Sequence, residues 1–120
     1  AFKDVVGLFF GASYSSASLG CKLAWEPLLY ARQKVVLAAA MYNLFTIDAP
    51  FFYMDDKEGL KKEAEAVKNL GFTGKAAIHP DQIDNIITAE LRITIMKQAS
   101  LLKKDAVRVR TDSDIACLGC

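Results

Sequence analysis

Two residues able to move protons stand at the ends of short apolar runs. Asp48 follows Leu44-Phe45-Thr46-Ile47, and His79 follows Lys75-Ala76-Ala77-Ile78. A carboxylate can serve as a general base, and an imidazole can polarise a carbonyl or carry a proton near neutral pH. Asp48 and His79 are therefore the candidate catalytic residues. Small or ring-locked residues adjoin the strand ends: Gly11 and Ala12 after the run 5–10, Pro50 just past Asp48, and Pro80 after His79. These four are the expected substrate-lining positions; the small-residue loop that begins at Gly11 lets backbone approach a ligand closely. Each candidate also has a plainer role. His79 can hydrogen-bond backbone at its strand's end while Pro80 fixes the exit path, and Asp48 can cap a loop.

Other groups invite chemistry less strongly. Asp55 and Asp56 are adjacent carboxylates, as a cation site would need, but an N-cap before the helix that follows explains Asp56 without one. Cys117-x-x-Cys120 suggests a redox or zinc pair, yet zinc needs two further thiol or imidazole ligands and His79 is the only histidine. No metal ligand is assigned in this chain. The loop between Gly11 and Gly20 carries no Gly-x-Gly-x-x-Gly or Walker pattern. Arg32, mid-helix, reads as an ion pair or packing on the outside of the fold, and Lys75 reads as structural.

The elements that must position these groups alternate. The run 5–10 is a short strand buried on both faces, ended by Gly11 and a serine-rich loop. Glu26-Pro27 opens a helix with an inward stripe of Leu28, Val35, Val36, Ala39 and Tyr42, stopped at Asn43. A second strand covers 44–47. Asp56 caps a helix over 57–70, with Leu60, Ala64, Val67 and Leu70 inward, Glu58/Lys62 and Lys61/Glu65 pairs outward, and Gly71 as its left-handed stop. A third strand covers 75–78. A third helix from Asp81 or Gln82 to about Lys104 carries Ile83, Ile87, Leu91, Ile95 and Leu102 on one face. Residues 105–120 form a tail whose Val107-Arg108-Val109-Arg110 alternates weakly, as a strand would. Strand–helix alternation of this kind means a parallel α/β sheet with right-handed crossovers. Three units do not close an eight-stranded barrel, which needs on the order of 250 residues. They form a small open sheet or one part, residues 1–104, of a larger barrel.

The 120 residues suffice for one ordinary domain, and 52% apolar with 24% charged residues is a globular composition. A formal charge of +1 without a basic block gives no electrostatic footprint for nucleic acid. No uninterrupted apolar run reaches membrane-spanning length, and no signal peptide is readable at Ala1. Three cysteines without framework spacing favour a reducing compartment.

Several pieces occur together in order: Phe10-Gly11 with Ala17-Ser18-Leu19-Gly20, Leu29-Tyr30-Ala31-Arg32-Gln33-Lys34, Ile47-Asp48, Asp56-Lys57-Glu58-Gly59-Leu60, and the unbroken run from Leu70 to Ile83. In this the chain resembles the C-terminal part of the citrate lyase beta subunit-like (HpcH/HpaI aldolase/citrate lyase) family, over residues 4–86. The Gly-Phe-x-Gly-Lys-x-x-Ile-His-Pro-x-Gln-Ile pattern is specific by length and order. The resemblance implies a (β/α)8 barrel whose sixth, seventh and eighth strands lie here. It implies a C–C lyase acting on citryl, malyl or citramalyl acyl-CoA or acyl-thioester substrates by Mg²⁺-assisted enolate chemistry. It further implies a homo-oligomer, trimer or hexamer. From composition and cysteine usage, the expected location is the cytoplasm, or alternatively the mitochondrial matrix or another organelle, with no nucleic-acid or membrane partner.

The chain departs from that pattern at the metal. The family's glutamate at the fifth strand and its substrate arginine lie upstream of Ala1. Tyr14, beside Ser13, stands where the resemblance expects the metal aspartate, and neither hydroxyl replaces a carboxylate at neutral pH. Past about Ile86 the family's segments are not recognisable, leaving Asp112 or Asp114 as stand-ins for a tail aspartate. The expectation is a lyase portion not competent alone; the alternative is a non-catalytic assembly or binding protein of the same fold.

Overall fold

A computed structural model describes residues 4–96 and the strand residues 109–110 and 114–115. Strand β1 (Gly7–Phe9) is followed by helices α1 (Ala12–Leu19) and α2 (Trp25–Met41), and strand β2 (Phe45–Asp48) by helix α3 (Lys57–Leu70). Strand β3 (Gly74–Ala77) leads through a 3₁₀ turn (Pro80–Gln82) into a short helix α4 (Ile83–Thr88) and strand β4 (Arg92–Ile95). A two-residue antiparallel pair, β5 (Val109–Arg110) with β6 (Asp114–Ile115), forms a second sheet.

The main sheet runs in the order β1-β2-β3-β4, every neighbour parallel. A monotonic order of parallel strands is the local topology of an α/β barrel. Ile47 opposes Phe9 on one side and Gly74 on the other. Glycine suits that position, since a Cβ on Gly74 would stand 3.0 Å from the Arg92 carbonyl oxygen and 3.4 Å from Ile47, a tight fit between neighbouring strands.

Two apolar clusters divide the strands by face. Phe10, Leu28, Phe51, Leu60, Val67, Phe72, Ala77, Ile86 and Leu91 fill the layer between sheet and helices. Phe9, Ile47, Ala76 and Met96, with Ile78 against them, form the other cluster, so β2 sends Ile47 one way and Thr46 and Asp48 the other.

Each helix closes the same way. The amide after each left-handed residue donates to the carbonyl five residues back: Cys21 to Ser16, Leu44 to Ala39, Phe72 to Val67 and Leu91 to Ile86. Gly20, Asn43, Gly71 and Glu90 take the positive φ values of 66°, 53°, 107° and 61° that this closure needs.

Helix α3 keeps its expected bounds, with Asp56 accepting the Gly59 amide at 2.8 Å. Three expectations are corrected. The serine-rich loop is helix α1, held by burial of Ala12 and Ser16 against α2 and closed at Gly20. The third helix ends at Thr88. Glu90 turns left-handed and the β-branched Ile93-Thr94-Ile95 extends the sheet beside β3, so Ile87 and Ile95 are exposed and Ile86 is the buried residue. Tyr42, expected on the inward stripe of α2, is exposed. Leu102, Lys104, Asp112, Cys117 and Cys120 lie outside the described residues.

Candidate functional site

Helices α2 and α3 each place one charged residue on an otherwise apolar inward stripe, Arg32 among Leu28, Val35 and Ala39, and Glu63 among Leu60, Ala64 and Val67. Both meet Asp48 and Lys75 under the sheet. Arg32 Nε donates to Asp48 Oδ1 at 2.8 Å and Nη2 to Glu63 Oε1 at 3.3 Å. Lys75 Nζ donates to Asp48 Oδ2 at 2.6 Å, to Glu63 Oε1 at 2.9 Å and to the Ala49 carbonyl at 2.8 Å. Two cations thus alternate with two carboxylates, and all three ammonium donors are used. Asp48 and Lys75 are fully buried, while Glu63 keeps a partly exposed side chain. The Arg32 guanidinium lies between the Phe10 ring at 5.0 Å and the Trp25 ring at 4.7 Å. Its Nη1 is buried without a hydrogen-bond partner.

The residues expected to do chemistry fall into separate places. Asp48 closes β2 as expected, but its side chain enters the layer under α2 and α3, where both oxygens accept from buried cations. The geometry gives it the work of tying α2 and the neighbouring strand β3 to β2. Arg32 forms the ion pair anticipated for it, though in the interior instead of on the outside.

His79 sits half exposed at the end of β3, and its Nδ1 accepts the Asp81 amide at 3.1 Å, capping the 3₁₀ turn. That bond occupies the Nδ1 lone pair and leaves Nε2 to carry the proton in the neutral ring. Pro80 follows at the first position of the turn. His79 and Pro80 border a cavity of about 60 Å³ with Ala77, Ile78, Ile83 and Ile95. Ala12 and Pro50 line a different one of about 40 Å³, shared with Arg32 and Phe51, and Gly11 precedes α1.

Gln82 joins the two places and was missed in the sequence. Buried at the turn, it accepts the Ile78 amide at 3.0 Å and donates to the Phe51 carbonyl at 2.8 Å, tying the rim after β3 to the loop after β2. Glu63 was missed as well. The readable signal was a lone charge on each facing inward stripe.

The described residues do not complete a magnesium site. Tyr14 is on the exposed side of α1, Asp48 is saturated by Arg32 and Lys75, and Asp56 is engaged as a helix cap. Among the described residues no three His, Cys, Asp or Glu side chains cluster as ligands.

A sector of parallel strands carrying its loops and turns on the rim where the strands end belongs to the class of α/β-barrel proteins, in which chemistry is kept at that rim. Residues 1–80 match the family model described as HpcH/HpaI aldolase/citrate lyase, and the chain belongs to that family. It is 41% identical over 85 residues to the mitochondrial citramalyl-CoA lyase of Homo sapiens, covering 65% of this chain and 25% of the relative. It is 35% identical over 82 residues to a citrate lyase subunit beta-like protein of Deinococcus radiodurans, covering 67% and 29%. Among solved structures it resembles RipC from Yersinia pestis, with a TM-score of 0.69, 42% identity and coverage of 80% and 43%. It also resembles the citrate lyase beta subunit of M. tuberculosis, complexed with oxaloacetate and magnesium, with a TM-score of 0.64, 30% identity and coverage of 71% and 41%. The chain spans about a quarter to a third of the length of these curated relatives.

Proposed function

We propose that these βα units form part of the rim of a carbon–carbon lyase acting on citryl, malyl or citramalyl acyl-CoA or acyl-thioester substrates. The observation that carries the reading is the ordered run 71–83, which forms a helix stop, a buried parallel strand and a rim turn bearing His79 and Pro80. In this reading Gly11, Ala12, Pro50 and Pro80 border the thioester, and His79 offers its Nε2–H to a substrate oxygen. Asp48 acts through position, holding the loop that begins at Ala49. The relatives' names support thioester chemistry, and the magnesium of the M. tuberculosis structure supports a metal in the family's reaction. The carboxylates for such a metal are not found among the described residues, and no step is routed through it here. The working form is a homo-oligomer, located in the cytoplasm or, by analogy with the mitochondrial relatives, in the matrix.

A second reading, a non-catalytic binding or assembly protein of the same fold, is favoured by Tyr14 at the position expected for the metal aspartate. Calorimetry with malyl-CoA and citramalyl-CoA, with and without Mg²⁺, separates the two. The lyase reading expects thioester binding, no turnover by the 120-residue chain, and Mg²⁺-dependent tightening in Tyr14→Asp. Binding indifferent to Mg²⁺ in both proteins supports the second reading. No thioester binding defeats both, and turnover by the unaltered chain defeats the claim of an incomplete metal site.

A further inference from the structure

The layer between sheet and helices opens to solvent where α2 and α3 begin. The 40 Å³ chamber lined by Arg32, Glu63 and Phe51 adjoins a wider cleft of about 390 Å³, and the two share Phe51, Tyr53 and Glu63 as walls. Trp25, Lys62 and Ala66 also line the cleft, whose volume is that of a small-molecule site. Phe51 and Tyr53 meet edge-on at 5.6 Å, and the Tyr53 hydroxyl donates to the Leu23 carbonyl at 3.3 Å. The aromatic walls are therefore fixed in place. Two polar groups of the ion-pair ring are left over here. Arg32 Nε and Nη2 are engaged by Asp48 and Glu63, so the buried Nη1 still has its N–H groups to place. Glu63 accepts from both Arg32 and Lys75 on Oε1, and among the described residues its Oε2 has no donor.

We propose that this cleft binds a small uncharged molecule with a flat aromatic ring and a carboxamide. The amide carbonyl accepts from Arg32 Nη1, the amide N–H donates to Glu63 Oε2, and the ring lies against Trp25 and Tyr53. A buried N–H without an acceptor is costly, so an occupant that supplies one is favoured. Charge decides for the amide over an ion. The ring already balances two cations, Arg32 and Lys75, with two carboxylates, Asp48 and Glu63. A carboxylate ligand would satisfy Arg32 but has no N–H for Glu63 and sets a like charge beside it. An ammonium ligand would satisfy Glu63 and leave Arg32 Nη1 facing another cation. Ala12 and Pro50 also border the small chamber. The test below contains neither thioester nor metal, so its outcome is separate from that of the lyase reading.

Benzamide, benzoate and benzylamine, titrated separately into the full 120-residue chain, test the site through the fluorescence of Trp25, its single tryptophan. Benzamide is expected to give a saturable change. Benzoate and benzylamine should bind about tenfold more weakly or worse, as a site built to hydrogen-bond two groups rejects an analogue lacking either. Ala66→Leu adds bulk to the cleft from a half-buried position of α3, away from the ion-pair ring, and should weaken benzamide about tenfold. Glu63→Gln keeps an acceptor and removes the charge, so benzoate should rise to within about threefold of benzamide. Circular dichroism checks the fold of both variants; should Glu63→Gln unfold, the three ligands and Ala66→Leu decide. No saturable change with benzamide overturns the proposal. So do equal affinities for the three ligands, a preference for either ion, benzamide binding that Ala66→Leu leaves unchanged, or a benzoate deficit that persists in folded Glu63→Gln.

Discussion

Helices α2 and α3 are neighbours doing the same inward task with opposite outward faces. Each buries a stripe of aliphatic residues interrupted by one charge, Arg32 or Glu63, and the two charges meet in one ring with Asp48 and Lys75. Outward, α3 displays lysines and glutamates four apart, while α2 displays tyrosine, leucine and methionine. Their beginnings differ too. Asp56 caps α3 with its carboxylate, whereas Ala24 before α2 offers no side-chain acceptor. The inward similarity shows what the sheet demands of any helix packed on it. Outward, α3 meets solvent with charged side chains, whereas α2 exposes Tyr30, Leu37 and Met41.

The shared ring is the place to break the similarity. Asp48→Ala leaves Arg32 and Lys75 buried without their deepest carboxylate, and α2 loses its ion pair to β2. We expect a loss of about 3–5 kcal/mol in urea unfolding, the range for removing one member of a buried ion network. Glu63→Gln should cost clearly less, because Asp48 still serves both cations and the Glu63 site has some access to water. Equal losses for the two variants would show that depth does not rank the ring. Gln82→Ala acts next to this ring through neutral bonds. It leaves the Ile78 amide and Phe51 carbonyl without their partner and should cost about 1–3 kcal/mol. A thermal shift as small as that of an exposed alanine substitution would remove Gln82 from the rim's framework.

How much of this could be read from the residues alone depends on how many local signals agreed. Helix α3 was legible to its end residues because cap, stripe, charged face and Gly71 all pointed one way. The parallel β–α alternation was legible from short apolar runs between helices. Helix α1 was not, since Ala-Ser-Tyr-Ser-Ser-Ala-Ser-Leu has neither apolar period nor strong propensity, and its burial against α2 is a tertiary effect. Nor was β4. Ile83, Ile87, Leu91 and Ile95 keep a four-residue spacing that suits a helix, and nothing local marks Glu90 as the left-handed residue that ends it. The open edge of β3 decided for a strand. At the site, Asp48 was placed at the correct strand end, but its direction depended on which face the helices cover. That direction separates a group facing substrate from one clamped between Arg32 and Lys75.

The difference at the helix beginnings gives the mildest and most selective experiment. Asp56→Ala removes the bond to the Gly59 amide and should destabilise the protein by about 1 kcal/mol. Gly59 is fitted to that cap, because a Cβ there would overlap the Asp56 carboxylate. The converse change on α2 is Ala24→Ser. Ala24 already has the extended backbone of an N-cap, at φ −148° and ψ 166°, so a hydroxyl can be added without moving the chain. Pro27 occupies the third helical position and has no amide to donate, which leaves the Glu26 amide as the acceptor's partner. With half the usual choice of donors the gain should be about 0.5 kcal/mol, the low end for a new cap. Denaturant midpoints of the two single variants and the double variant measure both effects. If the caps act separately, the double variant should fall at the sum of the singles, since the two helices begin at different loops. A gain from Ala24→Ser that vanishes in the Asp56→Ala background would instead show that the Leu23–Tyr53 hydrogen bond, which links those loops at 3.3 Å, couples the two helix starts.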